Sequence, residues 1–250
     1  MSPLISIITK ESKELLASGR GLAWLLTASL ILSAFSLLLV GNTELSLLDN
    51  AQAVYMMMGT ITALGCLLAA VLGSDAVAGE RERGTLVPLL LTPLTPGIIL
   101  TGKMGGLAIA WLIIYLISLS YLWAVGGTGQ NLVQAVAYLA LFGTPATLGF
   151  GFYSLALSAR RESVRSALII ALITLIFLSS PLLIGPGLRH NPVGKAFDAI
   201  NPIAVALNSY DSAIIDSQSF GEQMPRLAAA LIWLGATAWW ARRSVRSLHP

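Results

Sequence analysis

The sequence predicts an all-α integral membrane protein with six transmembrane helices, and three observations carry that prediction. Of its 250 residues 56% are apolar and only 11% charged, with a mean hydropathy of +0.78. A soluble domain carries about 25% charge, so water could not wet this surface. The apolar residues gather into six runs, and Lys and Arg fall in alternate connections between them. The whole chain, residues 1–250, therefore reads as a single transmembrane domain.

The first 20 residues form no short apolar core with a small-residue cleavage site, so no removable signal is expected. Leu4, Ile5, Ile7, Ile8, Leu15 and Leu16 instead interleave with Lys10, Glu11, Lys13 and Glu14 at helical spacing. Such a helix over residues 1–20 lies flat at the membrane interface, apolar side in lipid. A plain cytoplasmic extension of the first span is the alternative.

Residues 21–40 carry no charge, and at 1.5 Å per residue they cross a core of roughly 30 Å. The second, third and fourth runs are 53–73, 105–125 and 132–157. The fourth is interrupted by Gly143 and Pro145, where a kink is expected. The fifth, 167–184, closes on Pro181, Gly185 and Pro186. The sixth, 227–241, is short, extends back toward Met224, and ends on Trp239 and Trp240, which favour the interface.

Lys10, Lys13 and Arg20 precede the first span. Arg81, Arg83 and Lys103 follow the second, Arg160, Arg161 and Arg165 the fourth, and Arg242, Arg243 and Arg246 the sixth. Of 15 basic residues only Arg189, Lys195 and Arg226 fall on the opposite side. The positive-inside rule makes the populated side cytoplasmic, with both termini there, in a multi-pass protein of the inner (cytoplasmic) cell membrane. The long outer loop, 189–226, holds an apolar stretch around Asn201 and Pro202 that is too short to span. It fits a re-entrant or interfacial helix, or else a small extracytoplasmic cap.

Several functions are excluded or unsupported. The formal charge of +3 is spent on topology, so no nucleic-acid partner is expected. The one cysteine, Cys66, sits inside an apolar run, and His190 and His249 have no ligand spacing, so no metal site is expected. Gly97 to Lys103 has the Gly and Lys spacing of a phosphate-binding loop, but Met104 stands where a Ser or Thr should meet magnesium. That stretch reads as the start of the third span, with Thr95 as N-cap, Pro96 at the first helical position, and Lys103 among the headgroups. No catalytic or cofactor-binding residue is recognisable. Span centres hold no Asp, Glu, Lys, Arg or His, which argues against an ion-coupled secondary transporter.

The densest charge of the first half is Glu80, Arg81, Glu82 and Arg83, inside the segment 74–103. Gly79 and Gly84 bracket it and permit sharp backbone changes. Thr85 is placed to cap a new helix, with Pro88 still tolerated in its first turn. Leu86, Val87, Leu89, Leu90 and Leu91 give that helix an apolar face that would be wasteful in water. A partner groove could hold it; a solvated loop whose arginines only fix topology is the alternative.

Glu80 to Leu86, then Leu89 to Pro96, then Gly102-Lys103, resembles the signature of type-two ATP-binding-cassette (ABC) exporter permeases. There the pattern runs from the second span through a cytoplasmic coupling helix to the third. The resemblance implies a second permease chain and separate ATPase subunits that carry ATP and Mg. It also implies that Glu80 and Glu82 organise the end of the second span, and that Thr85 to Leu91 docks in the ATPase groove. Asn201-Pro202 resembles the family's re-entrant segment. Val87 and Pro88 depart from the acidic residue and leucine common there. The expected function is ATP-driven export of an amphipathic or hydrophobic substrate (lipid, peptide or drug), with no enzymatic activity in this chain. A non-transporting membrane anchor or assembly subunit is the second reading, and an ion-coupled transporter the third.

Overall fold

Every secondary-structure element is helical among the residues that the computed structural model describes, 3–17, 19–41, 50–91, 95–127, 131–180 and 191–248. Helices α1 (Pro3–Ala17), α2 (Gly19–Gly41) and α3 (Asn50–Glu82) are followed by the short α4 (Leu86–Leu90) and by α5 (Pro96–Gly126). Helix α6 (Leu132–Tyr138) passes through a π-helical turn, Leu139–Gly143, into α7 (Thr144–Arg160). Then come α8 (Val164–Ser179), α9 (Pro192–Ile200), α10 (Pro202–Ile214), a 3-10 turn at Phe220–Gln223, and α11 (Met224–Arg246). Thr92, Pro93, Leu94, residues 181–184 of the fifth expected span, His190 and His249 lie outside the described residues.

Four helical stretches are long and apolar enough to cross a membrane: Leu22–Gly41, Asn50–Glu82, Pro96–Gly126 and Leu132–Arg160. Helix α8 is apolar but shorter. Helix α11 has 23 residues, but Arg226, Arg242, Arg243 and Arg246 dilute its ends. The protein is a multi-pass membrane protein.

Helices α3 and α5 have 33 and 31 residues. At 1.5 Å per residue they are about 50 and 46 Å long, well beyond a hydrocarbon core of roughly 30 Å. The uncharged stretch 53–73 lies inside a longer helix, since α3 continues unbroken through Glu82. No proline interrupts Ser74 to Glu82, and Glu80, Arg81 and Glu82 bond to neighbouring helices, so nothing forces the helix to stop. Gly79, expected to free the backbone, is an ordinary helical residue. The bend comes at Gly84, whose φ of +71° lies in the left-handed region that glycine adopts without steric cost.

The expected interruption near Gly143 and Pro145 takes the form of the π-helical turn at Leu139–Gly143. Pro145 has no N–H to give the preceding turn, and the extra residue of a π turn accommodates that loss.

Helix α3 is the axis of the bundle, packed on α7, α5 and α8, with α11 against α7 and α1 against α5. One buried cluster joins Leu32, Met57, Ile61, Trp111, Phe142 and Tyr210. The other, nearer Glu80, is built of small residues such as Ala69, Ala70, Ala156, Ala167 and Ala241 around Phe150 and Leu155. Small side chains let helix backbones approach closely in a bilayer.

Before the last helix the chain makes two helices of opposite character. Helix α9 has no buried residue and exposes Val193 and Ile200, while its Phe197 meets Phe177 of α8 edge-on at 5.5 Å. Helix α10 is buried along nearly its whole length, yet its 13 residues rise only about 20 Å. The break between them is set by Asn201. Its Oδ1 accepts from the Ile203 and Ala204 N–H groups at 3.0 and 3.4 Å, capping α10, and its Nδ2 donates to the Leu178 carbonyl at 2.6 Å. Pro202 then occupies the first helical position, where its missing N–H costs nothing.

Candidate functional site

The turn between α3 and α4 gathers the four charged residues singled out in the sequence and sends each to a different neighbour. Glu80 points inward and is buried; its Oε1 accepts from Lys103 Nζ of α5 at 2.9 Å. Lys103 Nζ also reaches Glu11 Oε1 of α1 at 2.8 Å. Lys10 Nζ stands 4.0 Å from the same Glu80 oxygen. An ammonium taken out of water is costly unless its partners are well placed, and here two carboxylates supply them.

Lys103 therefore corrects the sequence expectation of a headgroup anchor. Its side chain is held away from the surface because α1 lies across α5 at that point. A β-carbon on Gly102 would overlap the Ile7 side chain, and one on Gly105 would come within 2.7 Å of Ile8 Cγ1. The two glycines are what let α1 seat closely enough for Glu11 to reach Lys103.

Arg81 turns the other way. Its guanidinium donates to the Arg161 carbonyl and, at 3.4 Å, to the Ala159 carbonyl, closing the C-terminal end of α7. Glu82 Oε1 accepts from the Val164 N–H at 2.8 Å, so a carboxylate sits at the N-terminus of α8, where the helix dipole favours it. Arg83 folds back on Asp75, with Nη2 at 2.8 and 2.6 Å from the two carboxylate oxygens.

Thr85 was expected to cap α4 and does not: no side-chain cap bond forms. Its hydroxyl donates to the Glu80 carboxylate and to the Glu80 carbonyl, the latter at 3.2 Å. The physical reason is orientation: Thr85 has helical backbone angles (φ −92°, ψ −7°) rather than the extended ones of a capping residue, and its side chain is drawn back to the Glu80 carboxylate, a strong acceptor. Helix α4 thereby hangs directly from the buried Glu80. Outward it presents Val87, 64% exposed, and Leu91, 81% exposed, while Leu86, Leu89 and Leu90 are half-buried. Thr95 caps α5 as expected, accepting from the Ile98 N–H.

Sequence reasoning missed Ser158. Its Oγ accepts from the Ala78 N–H at 2.8 Å and the Val77 N–H at 3.1 Å, and donates to the Ser74 carbonyl at 2.7 Å. Ser74 C=O and Ala78 N–H are the pair that closes one turn of a regular helix, so a hydroxyl from α7 sits on that turn of α3. The readable signal was the spacing Gly151, Ser154, Ser158 on one side of α7, small residues that mark a close helix contact. Glu11 was read only as part of a polar face, and nothing in its own surroundings separates it from Lys10 or Lys13.

Asn201 and Pro202 are not part of this cluster. They belong with α10, whose Tyr210 hydroxyl meets Thr62 Oγ1 of α3 at 2.9 Å.

Residues 5–239 match the family model described as ABC-2 family transporter protein. Over an alignment of 276 positions the chain is 30% identical to the probable ABC transporter permease protein NosY of Pseudomonas aeruginosa. That alignment covers 97% of this chain and 96% of NosY.

Proposed function

The chain belongs to the ABC-2 family of transporter proteins, and from that premise we propose that it is an exporter permease driven by a separate ATPase chain. ATP and its Mg bind on that partner, and this chain contributes movement. Two permease chains, identical or similar, assemble with the ATPases in the inner membrane. Each crosses the bilayer six times, α8 and α11 adding to the four longer stretches, with both termini in the cytoplasm. Helix α4 is the piece that the ATPase grips.

The observation that carries this reading is the attachment of α4. Its exposed Val87 and Leu91 form an apolar tip, and its root is bonded through Thr85 to Glu80, and from there to α5 and α1. Arg81 and Glu82 add α7 and α8. A displacement of α4 by a closing ATPase is thereby delivered to four other helices as well as to α3. A solvated loop would need none of these bonds.

The cargo reading is amphipathic. A cavity of about 290 Å³ lies among α1, α2, α3, α5 and α8, walled by Trp24, Leu68, Leu107 and Leu168, with Glu11, Asp75 and Lys103 also on its lining. An apolar wall with a few convergent polar groups suits a molecule of mixed character.

Co-purification in detergent tests the proposal. Wild-type chain should bring down a soluble ATPase, and Val87→Asp/Leu91→Asp should lose it while the helical protein stays folded. Both positions face solvent, so the substitutions leave the core untouched. An ATPase that survives the double substitution, or one that never accompanies the wild type, sinks the reading.

A further inference from the structure

The C-terminal half of α11 shows one exposed face in which chemistry changes in the order of a bilayer leaflet. Ile232, Trp239 and Arg246 recur every seven residues, so they lie on one side of the helix. Gly235, Ala236, Arg242 and Arg243 share that side, and all seven are exposed. Ile232 is 70% exposed and Trp239 62%. The opposite side, with Ala230, Thr237, Ala241, Ser244 and Val245, is buried. Along the exposed face, then, an aliphatic stretch gives way to an aromatic side chain and then to three guanidiniums.

The guanidiniums are held at the aromatic level. Arg243 lies over the Trp239 ring at 5.7 Å. Arg160 comes from α7 to lie over Trp240 at 5.3 Å and donates from Nε to Ser244 Oγ at 2.9 Å. Among the described residues none of Arg160, Arg242, Arg243 and Arg246 is in an ion pair with a carboxylate. Arg242, Arg243 and Arg246, three cations on the exposed face, are left for an anion from outside the chain. Tryptophan marks the headgroup level of a membrane, which places that anion in the phosphate layer.

We propose that this face holds an anionic phospholipid, its phosphate among Arg242, Arg243 and Arg246 and its chains along Trp239 and Ile232. Basic clusters at the end of a membrane helix recruit acidic lipids in this way. The aliphatic run that leads into the cluster distinguishes a lipid from a soluble anion, and it also argues against an acidic protein surface.

The test uses full-length chain, delipidated in detergent and offered phosphatidylglycerol or phosphatidylcholine with identical acyl chains. Lipid retained per protein is read by native mass spectrometry. Wild type should prefer phosphatidylglycerol, and Arg243→Gln alone should cut that preference about fivefold. Arg242→Gln/Arg243→Gln/Arg246→Gln should abolish it. A control that removes as many charges elsewhere, Lys13→Gln/Arg161→Gln/Arg165→Gln, should keep it. Equal loss in the control overturns the site in favour of diffuse charge. Displacement of the lipid by millimolar inorganic phosphate overturns it in favour of a soluble anion. A triple variant that retains the lipid preference but loses a co-purifying ATPase assigns the face to the motor instead and equally overturns the proposal.

Discussion

Lys103 Nζ lies 2.9 Å from Glu80 Oε1 across 23 residues of chain, and that one contact joins the end of α3 to the beginning of α5 beneath α4. Removing Lys103 leaves the Glu80 and Glu11 carboxylates without their shared cation, whereas removing Glu80 leaves Lys103 still paired with Glu11. Lys103→Ala should cost about 3 kcal/mol and Glu80→Ala less, each read as a lowered unfolding midpoint in detergent. Glu80→Gln with Lys103→Met removes both charges and should recover part of that loss. A double variant worse than the sum of the singles would show that the pair is not the unit.

Gly84 at φ +71° predicts a conformational penalty without a steric one, since open space surrounds its Cα. Gly84→Ala should cost about 1–2 kcal/mol if the turn is kept. If the turn relaxes instead, α4 changes direction, and ATPase co-purification falls while the melting temperature barely moves. Measuring both quantities on one variant separates the outcomes.

Ser158→Ala removes the hydroxyl that accepts from the Val77 and Ala78 N–H groups and donates to the Ser74 carbonyl, the link between α7 and α3. A loss of about 1–3 kcal/mol is expected for buried polar groups deprived of a partner. Ser158→Thr, which keeps the hydroxyl, should retain more stability than Ser158→Ala despite its extra methyl group. The reverse order of melting temperatures would mean that volume matters at this contact and the hydrogen bonds do not.

Asn201 performs two tasks with two atoms, and substitution can split them. Asn201→Ser keeps an oxygen that can cap α10 and discards the Nδ2 donor to Leu178. Asn201→Ala discards both. Loss of the cap is worth about 1 kcal/mol, so the alanine variant should melt below the serine variant. Hydrogen exchange at Ile203 and Ala204 should quicken only with alanine.

The sequence made most of the helical layout legible because apolar run length and Lys/Arg placement are local properties. The α5 start at Thr95-Pro96 and the break at Asn201-Pro202 were also readable, since proline and a capping side chain act within one turn. The segment 74–103 was legible as special but not as built. Gly79 looked like a hinge because glycine permits one, whereas the packing of α3 against α7 holds it helical. Thr85 looked like a cap because its hydroxyl oxygen could accept from an α4 N–H, but its helical backbone turns the side chain back to Glu80 instead. Lys103 looked like a headgroup lysine because nothing local announces that α1 will fold across Gly102 and Gly105. For Gly79 and Lys103 the deciding partner lies far away in the chain, where composition and periodicity carry no information.

The continuity of α3 also constrains how this gene can change in length. Thr62, bonded to Tyr210, and Glu80, bonded to Lys103, are five helical turns apart, roughly 1800° of rotation. Inserting or deleting a single codon between them would swing one contact about 100° away from its partner and slide it about 1.5 Å. An indel here costs the register of the whole bundle, so this interval should reject length variants that a surface loop would absorb.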